Sequence, residues 1–320
     1  MGSHAYISIY KIKNIDTLKD IEQWKHCYFN EPIRHSKKHD TEFYQLPIDE
    51  RNYRYEWSDM GNVLTLPVSD SKKEINFIEA SARIEYPKKK LFDSNDRFLP
   101  KKERTNLEDI NVIFFEMDQS FFVSIEESRQ KQIDRVLKLI GKENYEELEK
   151  LSSDFFNWLV YTYSENEGIL NNDIKITSIS EFLGNVFDNE NIVASKSEET
   201  LKLIATRAFI STGGILREIN LNVMNDNNNY NQNICFKIND HSRTVISINE
   251  SRLDWIPNAL PKEEKAILYM YTFLLPFLKK CFQENKTKFK NEKKQFAKKI
   301  GLEVVKEIME INDITKDELD

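Results

Sequence analysis

Lysine side chains are the residues of this chain whose types and spacing most clearly indicate chemistry. Residues 279–299 hold nine lysines against two glutamates, which gives a net charge of +7. The whole chain carries −7, so everything outside that run carries −14. Because the lysine ammonium is a compact point charge that pairs with phosphate, this asymmetry predicts a surface facing an anionic partner, most often nucleic acid.

The same run also has an apolar period. Phe282, Phe289 and Phe296 recur every seven residues, and the pattern continues at helical spacing through Ile300, Val304, Ile308 and Ile311. This spacing predicts one long amphipathic helix with a narrow apolar seam and lysines on its flanks and back. The lysines expected to contact nucleic acid are Lys286, Lys290, Lys293, Lys294 and Lys298. A solvated helix face and a dimerisation coil are the alternatives.

An acidic end bounds this helix, since residues 303–320 carry a net charge of −5. The acidic end is expected to fold back on the lysines and compete with a ligand, or to pair with a second copy of the chain.

A second basic cluster begins at Lys88, Lys89 and Lys90. Phe92 and Phe98 are interleaved with the basic residues that follow it, which would allow stacking on exposed bases. We therefore add these three lysines to the predicted nucleic-acid-binding residues, with simple solubility of a loop as the alternative.

Several carboxylates suggest a different chemistry. Glu79 and Glu85, with Lys88, form a pattern of two acids and a lysine, and Glu116 and Asp118 lie close together at a predicted hairpin. Carboxylates that converge can hold the metal ions of a hydrolytic site. A metal-dependent nuclease is therefore an alternative function.

Histidines offer weaker evidence for a metal site. His35 and His39 are four residues apart, with Cys27 nearby in sequence, and zinc accepts these ligand types. The spacing matches no known zinc finger, so no metal and no cofactor is predicted. Glycine-rich phosphate-binding motifs do not occur either, which makes the common nucleotide-binding folds improbable, and no catalytic residue is assigned.

The order of predicted elements indicates an α+β fold. Strands over 62–68 and 75–84 and a hairpin over 110–116 and 120–126 come first, and a helix over 128–140 follows, with Gly141 as its C-cap. We place a domain boundary at 127, between a strand-rich domain with a mixed or antiparallel sheet (5–127) and a helical, hairpin-containing domain that ends in the long helix (128–320). Residues 225–233, almost all Asn and Asp, are predicted to form a long turn.

Cysteine usage and hydropathy indicate the compartment. Cys27, Cys235 and Cys281 are odd in number and widely scattered, which disfavours a disulfide framework. No apolar stretch approaches the roughly 20 residues that span a bilayer. A cytoplasmic location is therefore expected.

Several segments together carry a resemblance to a known family. They are the first strand (6–13), the buried strand and hairpin (112–125), the helix end at 137–141, and the sequences Tyr269-Met270-Tyr271 and Lys279-Lys280-Cys281-Phe282. In these segments and their order the chain is similar to the RexA/KwaB-like phage-exclusion and antiphage-defence proteins. The resemblance implies a cytoplasmic, dimeric, non-enzymatic DNA-binding protein and, if it is Kiwa-like, a membrane-protein partner. An adaptor that docks a protein through the terminal helix is a further alternative.

Overall fold

The computed structural model describes residues 4–67, 74–186, 191–197, 200–227, 230–254 and 260–318. The chain divides into two compact units. The N-terminal unit comprises residues 6–148, and the C-terminal unit comprises residues 149–318 together with 4–5. Each unit contains a sheet and helices, which confirms the predicted α+β class.

The N-terminal unit is built on an antiparallel sheet. Its strands are β1 (His4–Ile12), β2 (Tyr28–Pro32), β3 (Asn52–Met60), β4 (Leu64–Pro67), β5 (Glu74–Pro87), β6 (Thr105–Met117), β7 (Ser120–Glu126) and β8 (Tyr145–Glu147). They follow the order β1-β7-β6-β5-β3-β2, with β4 also paired to β5 and β8 to β1. The helices of this unit are α1 (Asp40–Gln45), α2 (Lys101–Arg104) and α3 (Gln130–Ile140), with 3-10 turns at Leu18–His26, Lys37–His39 and Lys142–Asn144.

Helix α3 packs against this sheet. Ile133 and Val136 on one face of the helix belong to the same buried cluster as Ile78 and Phe114 of the central strands. Gly141 adopts a φ of 93° and its N–H donates to the Leu137 carbonyl, which confirms the predicted helix end. The predicted boundary at 127 precedes α3, whereas the division between the compact units follows it.

The C-terminal unit contributes antiparallel strands of its own. Its strands are β9 (Ile174–Asn185), β10 (Ile192–Lys196), β11 (Ile215–Asn227), β12 (Tyr230–Asn239) and β13 (Thr244–Ser247), in the order β10-β9-β11-β12-β13. The helices are α4 (Ser153–Glu165), α5 (Ile204–Ser211), α6 (Lys262–Tyr269) and α7 (Leu275–Ile311), with a π-helical turn at Met270–Leu274 and 3-10 turns at Thr200–Lys202 and Lys316–Glu318.

The long turn predicted over 225–233 is wrong for the residues that the structure describes. Strand β11 continues to Asn227, and β12 begins at Tyr230. Asn225 pairs with Gln232 and Asp226 with Asn231 in the ladder. The hairpin extends because any residue except proline can supply the backbone donor and acceptor of a ladder, so sheet pairing overrides the turn preference of Asn and Asp.

The long terminal helix is confirmed. Helix α7 contains 37 residues, which corresponds to a rod of about 55 Å at 1.5 Å per residue. Pro276 follows directly on the π-helical turn at Met270–Leu274, where the helical bonding pattern changes and the missing N–H is accommodated. The lysine run therefore lies on a continuous helix and not in an irregular tail.

Candidate nucleic-acid interface

Three phenylalanines of α7 fix the orientation of the helix within the C-terminal unit. The rings of Phe282 and Phe289 lie 5.7 and 5.4 Å, centroid to centroid, from Trp158 and Tyr161 of α4. Phe296 is buried and also contacts Tyr161, at 5.3 Å. Because the aromatic seam is buried, the lysines at other angles around the helix must face outward.

Polar contacts to α4 hold some of the lysines in place. Lys293 donates to Asp154 at 2.6 Å, and Lys299 forms an ion pair with Glu165 at 2.9 Å. Between them, Tyr161 donates its hydroxyl proton to Glu292. The predicted site residue Lys293 therefore also takes part in fixing the helix.

Four lysines form a continuous row along α7, which we call the lysine ridge: Lys286, Lys290, Lys294 and Lys298. They are spaced four residues apart, so each lies about 6 Å further along the axis and the row spans about 18 Å. The last three of them are exposed. None of these three forms an ion pair with a residue that the structure describes.

The first lysine of the ridge has a different environment. Lys286 is half-buried, and its ammonium lies 5.8 Å from the centre of the Phe282 ring. A cation over an aromatic face is weakly attracted to it. The ridge thus begins at the aromatic seam and turns outward toward Lys298.

Like charges at this spacing oppose helix formation. Each Lys–Lys pair at i,i+4 destabilises a helix by about 0.2–0.5 kcal/mol, and the ridge contains three such pairs. An anion with several charges would relieve this repulsion. One strand of duplex DNA presents a phosphate every 3.4 Å or so of axis, so 18 Å of ridge would span about five phosphates.

The apolar seam does not continue to the end of α7 as predicted. Ile300 and Val304 are buried, but Ile308 is 40% and Ile311 is 65% exposed. Helix α5 packs closely along the preceding turn, where a side chain at Gly301 would meet Ser211 at 3.5 Å. Farther along α7, α5 still contacts the helix through the ion pair of Arg207 with Glu307, but Ile308 and Ile311 remain exposed.

The second predicted cluster lies on a loop of the N-terminal unit between β5 and α2. The Lys88 ammonium donates to the Lys102 carbonyl at 3.1 Å, whereas Lys89 and Lys90 are exposed. The two basic clusters belong to different compact units.

Aromatic side chains of this loop pack inward. Phe92 stacks on the ring of His39 at 4.3 Å, and Phe98 lies 5.7 Å from Phe43. Arg104 is 1% exposed and donates to the carbonyl oxygens of Leu99 and Glu50. Phe92 and Phe98 therefore support the loop, and its exposed lysines are the part available for binding.

The candidate nuclease carboxylates do not converge. Glu79 and Glu85 lie on one strand, β5, about 20 Å apart at 3.4 Å per residue. Glu85 pairs with Lys101 at 2.7 Å, and Glu116 accepts from Asn76 at 3.2 Å. Asp118 lies in the β6–β7 turn. This geometry gives the nuclease alternative no support, because metal-dependent hydrolysis needs carboxylates around one point.

The histidines are engaged with aromatic rings and carboxylates. His35 stacks on Phe43 at 3.7 Å and contacts Asp40 at 3.0 Å, while His39 approaches Asp96 at 3.7 Å. Within the part of the chain that the structure describes, no group of three or more metal-ligating side chains occurs. The ring that stacks on His39 is Phe92, 53 residues away in sequence, so spacing alone could not reveal this packing role.

No protein-family model matches this chain, and no curated protein matches it. Among the described helices, none combines the length and the apolar character that a membrane crossing requires.

Proposed function

We propose that this protein binds nucleic acid through the phosphate backbone and that the lysine ridge of α7 is its main contact surface. The observation that carries the proposal is the row of lysines on an anchored helix, of which three are exposed and without an ion pair to any described residue. Lysine suits phosphate contacts better than base recognition, so binding is mainly electrostatic and weakly dependent on sequence.

The resemblance to the RexA/KwaB-like proteins supports DNA as the ligand. It also supports a cytoplasmic role in phage defence or exclusion, without enzymatic activity and with a membrane-protein partner if the system is Kiwa-like. Lys88, Lys89 and Lys90 are proposed as a secondary contact of the N-terminal unit. A protein adaptor function is favoured by one separate observation, the exposed apolar residues near the end of α7.

A salt titration tests the binding proposal. We expect the wild-type protein to bind a labelled 30-base-pair duplex, measured by fluorescence anisotropy, with a slope of log affinity against log salt of about −3 to −5. Two duplexes of unrelated sequence should bind equally. The absence of binding in 50 mM salt would refute the proposal.

Charge reversal identifies the surface. We expect K290E/K294E/K298E to weaken binding at least tenfold in 50 mM salt and to make the salt slope smaller by about 3, because three phosphate contacts are lost. The matched control is K150E/K262E/K316E, which reverses three exposed lysines of the same unit that lie outside the ridge and its four-residue row. An equal loss in both variants would show that net charge, and not the ridge, controls binding.

The defence role needs a separate measurement. We expect phage to form fewer plaques on cells that express the protein. K290E/K294E/K298E, expressed at an equal protein level, should abolish this protection. Protection that the ridge variant retains in full would separate the cellular role from nucleic-acid binding.

A further inference from the structure

The N-terminal unit contains a groove at the C-terminal end of α3. The 3-10 turn at Leu18–His26 and β2 form one wall, and the end of α3 together with Tyr145 of β8 forms the other. The groove has a volume of about 810 Å³, which lies within the range of about 300–1,000 Å³ that is typical of small-molecule sites. The lysine ridge belongs to the other unit, so an inference from this groove does not rest on the proposed function.

Aromatic rings supply much of the apolar surface of the groove. Trp24 and Tyr28 line one wall, and Tyr145 lines the other. Tyr28 is 57% exposed, and the guanidinium of Arg54 already lies 4.6 Å from the centre of its ring. Because the face of an aromatic ring carries negative charge density, it attracts a cation. This lining therefore suits an organic cation better than an organic anion.

Free backbone acceptors occur at the same end of α3. The last four carbonyl groups of a helix have no partner within the helix. The Ile140 carbonyl accepts a hydrogen bond from the side chain of Asn144 at 2.8 Å. Lys138 and Leu139 also line the groove, and their carbonyl oxygens accept no hydrogen bond from a residue that the structure describes. Both oxygens are thus available to the N–H groups of a ligand.

The charge of the lining is negative as well. Asp134 and Glu143 line the groove, and within the described part of the chain neither forms an ion pair. Of the two lysines in the lining, Lys138 pairs with Glu31 at 2.9 Å, and Lys142 is exposed. Two acids against one unpaired lysine leave a net charge of −1, and the end of the helix adds about −0.5.

We propose that this groove binds a small aliphatic amine in its protonated form, of the class of the alkyldiamines. A primary ammonium has three N–H donors and no acceptor, so it matches the free carbonyls of Lys138 and Leu139. The carboxylates of Asp134 and Glu143 balance its charge, and the aromatic rings contact the alkyl chain. The concave shape and the volume favour a free small molecule as the occupant.

Protection of Cys27 tests the binding in the unaltered protein. Cys27 lines the groove and is exposed, whereas Cys235 and Cys281 are buried, so a thiol reagent reports on this position. We expect 10 mM 1,4-diaminobutane at pH 7 to slow the reaction of Cys27 with 4,4′-dithiodipyridine at least threefold at constant ionic strength. An unchanged rate in 50 mM diamine would overturn the proposal.

Neutral variants locate the charges that attract the ligand. In isothermal titration calorimetry, D134N/E143Q should lower the affinity for 1,4-diaminobutane at least fivefold, because both carboxylates lose their charge. The matched control is D49N/E103Q, which neutralises two exposed acids of the same unit outside the groove and should keep the affinity within about twofold. An equal loss in both variants would overturn the assignment to this groove.

A ligand series tests the chemistry of recognition. Tetramethylammonium has the charge but no N–H donor and should bind at least fivefold more weakly than the diamine, and 1,4-butanediol and butanedioate should not bind. Y28L should weaken diamine binding more than Y28F, which keeps the aromatic face. Preferential binding of butanedioate would overturn the proposal. Protection of Cys27 by a lysine-containing peptide but not by the diamine would also overturn it and would assign the groove to a protein partner.

Discussion

At the scale of single residues, Tyr161 links the buried seam of α7 to its polar contacts. Its ring touches Phe289 and Phe296, while its hydroxyl donates to Glu292. Burial, together with this hydrogen bond to a carboxylate, raises the pKa of Tyr161 to about 12. The hydroxyl therefore stays protonated in the folded protein at pH values where an unfolded tyrosine, with a pKa near 10, begins to ionise.

The raised pKa predicts a pH-dependent contribution to stability. We expect Y161F to lower the free energy of unfolding by about 2 kcal/mol at pH 8, since a hydrogen bond to a charged acceptor is lost. The contribution of the hydroxyl is complete below pH 10 and is lost as the pH rises through about 12.

The measurement is urea unfolding of wild type and Y161F between pH 8 and pH 11.5. The difference between the two proteins should shrink as the pH rises, and this comparison cancels the titration of the other tyrosines. A difference that stays constant over this range would contradict the role given to the Tyr161 hydroxyl.

At the scale of elements, α7 changes character along its length. Its first half is anchored by phenylalanines in the core, and its second half carries exposed aliphatic side chains although Arg207 of α5 still pairs with Glu307 there. Phe289 and Ile308 were predicted to share one seam, but Phe289 is 1% exposed and Ile308 is 40% exposed. The two positions therefore offer a matched test within one helix.

We expect F289A to destabilise the protein by about 3–5 kcal/mol, because a large buried ring is removed and a cavity remains. I308A should cost less than about 1 kcal/mol, since much of its side chain already contacts water. F289A should also weaken duplex binding at temperatures where α7 detaches from α4, because the lysine ridge then loses its fixed orientation. Chemical denaturation gives both energies, and similar losses at the two positions would contradict the packing.

Local periodicity explains which parts of this helix could be predicted. The seven-residue phenylalanine spacing and the four-residue lysine spacing are properties of adjacent turns, so the sequence shows them directly. The partner of Lys293 is Asp154, 139 residues away, and the end of the seam depends on which turns of α7 its neighbours cover. Neither can be obtained from spacing, because both are set by tertiary packing.

In the loop between β5 and α2, sequence spacing likewise fails to predict tertiary packing. Lys88, Lys89 and Lys90 were grouped with Phe92 and Phe98 because they are close in sequence. Packing separates them, since the two rings turn toward His39 and Phe43 while the later lysines stay exposed. A β-strand hairpin such as β6–β7 was easier to predict, because alternation and a short turn determine it locally.

At the scale of the whole molecule, the negative net charge of the chain opposes the nucleic-acid binding that we propose for the lysine ridge. The chain carries −7 overall, so a DNA strand is repelled by most of the protein and attracted by one helix. Exposed charges interact over about 10 Å at 0.1 M salt and over shorter distances as salt increases. Acidic side chains of α7 should therefore weaken binding only when salt is low.

Glu303 and Glu310 test this balance, because both are exposed on α7. Two charges about 10 Å apart in water interact by about 0.4 kcal/mol, so we expect E303Q/E310Q to raise duplex affinity about two- to fivefold in 50 mM salt. The gain should vanish above about 0.3 M salt and should be absent when K290E/K294E/K298E is combined with it. Anisotropy titrations across this salt range give the comparison. A gain in duplex affinity that persists at high salt would mean that the two glutamates act by direct contact and not by long-range electrostatic repulsion. A gain that remains in the K290E/K294E/K298E background would place the binding surface elsewhere.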